Sequence, residues 1–177
     1  MDTIDHITEA WRFAANAHVG QTVPGTELPY LLHLGLVVAE LSEALAADPV
    51  LDRRLALCIA LLHDTLEDTG TTYSQVLELF GEPVAAGVLA LTKNQALPKA
   101  ERMPDSLQRI RQQPREVWVV KLADRSANMS GPPSFWSEDR RRAYRQEAVR
   151  IADELGAASP LLERRLRERI RLYPNHL

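Results

Sequence analysis

Four ionisable side chains fall within six residues of the stretch LALCIALLHDTLEDTGTTY (55–73): His63, Asp64, Glu67 and Asp68. The first half of that stretch is almost unbroken apolar sequence, the pattern of a buried helix. Continued at about 100° per residue, the helix sets His63, Glu67, Asp64 and Asp68 at roughly 0°, 40°, 100° and 140°, on one arc, with Leu62 and Leu66 opposite. Three carboxylates beside an imidazole repel one another and are costly to desolvate, so a cation or a set of donors must face them. A divalent metal is the simplest such cation. The alternative is a solvated helix end, with Glu67 and Asp68 wet and His63 bonded to a neighbour.

Further ligands would have to come from elsewhere in the chain. His33 is the only ionisable residue in the first half of PYLLHLGLVVAELSEALA (29–46), an apolar helix in which a lone histidine serves either as a ligand or as a hydrogen-bonder to the core. In VWVVKLADRSANM (117–129), Lys121, Asp124 and Asn128 recur at i, i+3 and i+7 and share one face of a second apolar helix. They either look into a polar cleft or form a Lys121–Asp124 pair with no further role. Cys58 is the only cysteine, so a disulfide within the chain and a thiolate zinc site are both excluded, which leaves imidazole and carboxylate as ligand types. A reducing compartment, the cytoplasm, is expected.

The rest of the chain reads as the scaffold for these residues. With 177 residues, 45% of them hydrophobic, it suits one domain spanning 1–177 with a sizeable core. A net charge of −3 provides no broad basic field for nucleic acid, and no apolar run is long enough for a membrane span or a signal peptide. Helices are expected over 3–18, 29–46 and 55–70, then as a short helix to Phe80, a Gly-Glu-Pro break at 81–83 and another helix to Lys93, and further over 106–113, 117–129, 135–155 and 159–172; the fold class is all-α. The polar stretch 94–105 reads as a flexible connection carrying Lys99 and Arg102, and GPPS (131–134) as a loop. His18, at the end of the first helix, is expected to be a structural hydrogen-bonder.

Several motifs then line up in order and spacing: AHVGQ (17–21), PYLLH (29–33), LLHDTLEDT (61–69), LTK (91–93) and KLADRSANM (121–129). Together they resemble the hydrolase domain of the RelA/SpoT family over nearly the whole chain. With no synthetase segment, the chain looks like a stand-alone small alarmone hydrolase, a single-domain helical HD-type metal phosphohydrolase. The resemblance implies one Mn²⁺ bound through His33, His63, Asp64 and Asp124, with Glu67 and Asp68 acting on the attacking water. It implies hydrolysis of a nucleotide 3′-pyrophosphate with release of pyrophosphate, and substrate contacts from Lys99, Lys121, Asn128, Arg140 and Tyr144. The partner is thus a small-molecule nucleotide.

One departure bears on the base. Family members acting on guanosine alarmones typically carry a basic pair shortly after the glutamine of the HxGQ stretch, whereas here Thr22, Val23 and Pro24 follow Gln21 and no basic residue precedes Tyr30. An adenosine alarmone, (p)ppApp, therefore stands beside (p)ppGpp as a candidate. Leu34 also stands where proline usually follows the histidine. Two other functions remain open at this level: a phosphomonoesterase acting on a nucleotide or on the 2′-phosphate of NADPH, and a nucleotide-binding sensor without turnover.

Overall fold

Five helices of the described residues begin where a side chain accepts a free N–H of the first turn, and others begin at proline. The computed structural model describes residues 2–131 and 133–173, so residue 132 of the expected loop and residues 1 and 174–177 of the expected domain lie outside the described residues. Asp2 caps α1 (Thr3–Ala17), Asp52 caps α3 (Arg53–Leu62), and Thr72 with Gln75 forms a reciprocal capping box on α5 (Tyr73–Phe80). Pro83 lies in the first turn of α6 (Glu82–Leu91), after Gly81 turns the chain at φ +81°. Ser137 caps α9 (Glu138–Leu155), and Ser159 caps α10 (Pro160–Leu172). No strand occurs among the described residues, and one isolated bridge, Thr22 to Pro29, ties off the loop between α1 and α2 (Leu31–Ala47).

The core is organised around α8 (Arg115–Asn128), which packs against α2, α3, α6, α9 and α10. Val117, Val119, Val120, Leu122 and Ala123 of α8 are fully buried among Leu34, Leu41, Ile59, Leu61, Leu62, Ile151, Leu155, Leu162 and Leu166. Burial on this scale is the main stabilising term of the bundle. At Gly87 of α6 a Cβ would lie 2.6 Å from Ile59 Cδ1 of α3 and 3.1 Å from Val117 Cγ2 of α8, so an added methyl would require these buried side chains to shift.

Three expected elements differ. The helix expected to run through 55–70 stops at Leu62 and resumes as α4 (Thr65–Asp68). Its last carbonyls are taken by side chains, Ala60 by His63 Nδ1 at 2.8 Å and Leu62 by Thr65 Oγ1 at 2.7 Å, so the backbone is free to turn at His63 and Asp64. The stretch expected to be a flexible connection is instead the start of α7 (Lys99–Ile110), which buries Met103, Leu107 and Ile110 at helical spacing despite Pro104 inside it. Arg102 secures the preceding turn through the carbonyls of Leu97 and Gln95. The ninth helix also starts later than expected, because Ser137 rather than a residue near Phe135 provides its cap.

Candidate metal centre

Three segments bring four side chains to one point. His33 comes from the first turn of α2, His63 and Asp64 from the break between α3 and α4, and Asp124 from α8. Both imidazoles and Asp124 are buried, at 6%, 3% and 6% exposure. The two Nε2 atoms lie 3.4 Å apart; Asp64 Oδ2 is 2.8 Å from His63 Nε2 and 3.5 Å from His33 Nε2. Asp124 Oδ1 sits 3.5 Å and 3.6 Å from the same two nitrogens.

The donor chemistry fits a divalent cation. A carbonyl only accepts, so the bond from His63 Nδ1 to Ala60 O puts the proton on Nδ1 and turns the Nε2 lone pair inward. Two inward imidazoles and two carboxylate oxygens leave lone pair facing lone pair unless a proton or a metal lies between them. His33, His63 and Asp64 alone already offer three ligand atoms within 4.8 Å of one another. Mixed imidazole and carboxylate ligands suit first-row divalent metals.

Neighbouring side chains orient these four groups. Lys121 Nζ donates to Asp124 Oδ2 at 2.9 Å and Asn128 Nδ2 to Asp124 Oδ1 at 2.7 Å. Against the cost of burial, Lys121 and His63 hold the Asp124 carboxyl far below its usual range. Asp64 is likewise held well below its range against burial by His63 and His33, and it accepts from the Tyr30 hydroxyl at 2.5 Å. His18 stacks on the Tyr30 ring at 4.7 Å, and its Nδ1 is bonded to Gln21, in keeping with a structural role.

One turn past His63 and Asp64, Glu67 and Asp68 have different surroundings. Glu67 accepts from both the main-chain N–H and the ammonium of Lys93, at 2.9 and 3.0 Å. Asp68 is exposed, and its carboxylate accepts no hydrogen bond among the described residues. Partial desolvation, then the charges of Asp64 and Glu67, push its carboxyl up to about 6.

The sequence profile of the HD domain family matches residues 10–159. The chain belongs to the HD domain family. Among its relatives, the protein named guanosine-3′,5′-bis(diphosphate) 3′-pyrophosphohydrolase MESH1 from Xenopus tropicalis is 34% identical over 166 residues, 90% of each chain. The bifunctional (p)ppGpp synthase/hydrolase SpoT of Escherichia coli (strain K12) is 36% identical over 151 residues, which are 82% of this chain and 20% of SpoT. A solved structure described as a metazoan ortholog of SpoT that hydrolyses ppGpp superposes with a TM-score of 0.79 at 28% identity, covering 94% of both chains.

In this HD domain the residues expected at the substrate divide into two groups. Lys121 and Asn128 are taken up by Asp124. Lys99 and Arg140 are exposed, Arg140 lying over the Trp136 ring at 4.1 Å, and neither enters a hydrogen bond or ion pair of the centre. Tyr144 is half-buried, with Arg125 stacked over its ring; burial, with Asp124 adding to it, raises its phenol. Tyr30 and Lys93 were not singled out from the sequence, although each lies in a motif, PYLLH and LTK.

Proposed function

We propose that this HD domain hydrolyses the 3′-pyrophosphate of a nucleotide alarmone, ppGpp or ppApp, with Mn²⁺ as its metal, as a single domain acting on cytoplasmic nucleotides. The observation that carries this reading is the convergence of His33, His63, Asp64 and Asp124 on one point, in a chain that is similar to MESH1 over 90% of both chains. Those four residues would hold the metal. Once bound, it supplies positive charge against the negative charge that builds on the phosphate oxygens.

The chain's own groups then divide the work. Glu67 orients a water, and Asp68 takes its proton as the oxygen bonds to the phosphorus carried by O3′. The O3′–P bond breaks, the proton passes to O3′, and pyrophosphate leaves. Lys99 and Arg140 are exposed cations offered to the diphosphate, with Tyr144 joined to Arg140 through the Trp136 ring, while Lys121 and Asn128 serve through Asp124. The loop after Gln21 offers no cation to a guanine, which keeps ppApp beside ppGpp as a candidate substrate.

The test is incubation of the purified protein and Mn²⁺ with ppGpp, ppApp and NADPH, followed by product identification. Pyrophosphate from an alarmone, lost on chelation, is expected. Orthophosphate as the sole product, or tight binding without any product, would overturn the reading.

A further inference from the structure

The LTK motif takes no part in the metal centre, yet Lys93 makes the only hydrogen bonds to Glu67 among the described residues. Its main-chain N–H donates to Oε2 and its ammonium to Oε1, so each carboxylate oxygen spends one lone pair on the same residue and keeps one. The grip is sheltered: the Glu67 side chain is 15% exposed and that of Lys93 33%.

The N–H is free to donate because α6 ends at Leu91, and that end is itself held from α7. Arg109 donates to the carbonyls of Leu89, Ala90 and Thr92 and is steadied by Asp105, while Ser106 Oγ donates to Ala90 O at 2.9 Å. Donors from α7 therefore satisfy the carbonyls at the end of α6, which α-helices otherwise leave to solvent or a cap. The backbone that follows is fixed, and with it the direction of the Lys93 N–H.

We propose that Lys93 is a positioning residue for this reaction: gripping both oxygens of Glu67, it fixes that carboxylate to orient the water and leaves Asp68 as the one that moves the proton. This rests on the hydrolytic reading above. Lys93 acts through Glu67 and not on the substrate, so its loss is seen only where Glu67 is present.

The test is a double-mutant cycle of Lys93→Met and Glu67→Gln on pyrophosphate release, with Lys93→Arg as the conservative variant. Lys93→Met is expected to lower kcat about ten- to a hundredfold with KM within about threefold, since the main-chain donor remains. Lys93→Arg restores most of the rate, and Lys93→Met costs nothing further in the Glu67→Gln background. Equal losses in both backgrounds, or a raised KM at unchanged kcat, would overturn the proposal. A crystal structure of Lys93→Met gives a readout that needs no turnover. If the wild type releases no pyrophosphate the hydrolytic reading falls, and the inference on Lys93 is then judged by whether the Glu67 carboxylate has moved, an unmoved carboxylate overturning it.

Discussion

The Tyr30 hydroxyl donates to Asp64 Oδ2, joining the residue that precedes α2 to a carboxylate at the break after α3. Burial, then the Asp64 charge, holds the phenol far above its ordinary range, so Tyr30 is a permanent donor. Tyr30→Phe should weaken Mn²⁺ binding about tenfold while leaving the circular dichroism of the helices unchanged. Calorimetric titration with Mn²⁺ measures this, and unchanged affinity would show that Asp64 needs no such orientation.

Removing a ligand has a different signature. His63→Ala and Asp124→Ala should abolish both metal binding and turnover. Because a ligand that binds only the folded state stabilises it by about 2.7 kcal/mol at a hundredfold excess over Kd, Mn²⁺ should raise the wild-type melting temperature. In both variants that rise should vanish. A metal-dependent shift that survives in Asp124→Ala would remove Asp124 from the ligand set.

Glu67→Gln should keep the metal and lose about 10²- to 10⁴-fold in rate, as expected for a group acting on the water. A rate equal to that of wild type would sink the role of Glu67.

Asp68 has a carboxyl raised to about 6, so in metal-free protein its ¹³C titration should have a midpoint near 6. Added Mg²⁺, being positive, should lower that midpoint. The sign for stability is the reverse of the usual one for carboxylates. The folded form holds its proton to higher pH than the unfolded form, so Asp68 makes the metal-free fold less stable as pH rises from about 4 to 6. Asp68→Asn should flatten that part of the pH–stability profile.

Away from the centre, Glu40 of α2 is buried and clasped by Arg165 at 2.7 and 2.9 Å and by Arg169 at 2.5 Å, both from α10. Those arginines outweigh burial and lower its carboxyl. Glu40→Gln should cost about 2 kcal/mol in a urea melt, less than a fully buried pair because the arginines are partly exposed. The contribution is present above the ordinary carboxylate range and lost as pH falls through the depressed value, so wild type and variant should converge in acid.

How far the chain could be read before folding depended on whether a residue's role was local. His33 and Asp124 stood out as polar points on apolar helices, and both face the centre. The turn at His63 and Asp64 left no trace in the apolar periodicity, because it depends on Thr65 and His63 satisfying carbonyls that any helix has. The helix α7 was hidden by its lysine, glutamate, arginine and proline, which outnumber the three apolar residues that dock it. Lys93 and Tyr30 carried no local mark, since what they hold lies 26 and 34 residues away in the chain.

The bare backbone of Gly87 against Ile59 sets the helix that ends at Leu62, just before His63, against the one that precedes Lys93. A methyl group at position 87 would have to displace the buried Ile59 side chain on the helix that leads into His63, a disturbance passed on through packing alone while the polar groups of the centre keep their chemistry.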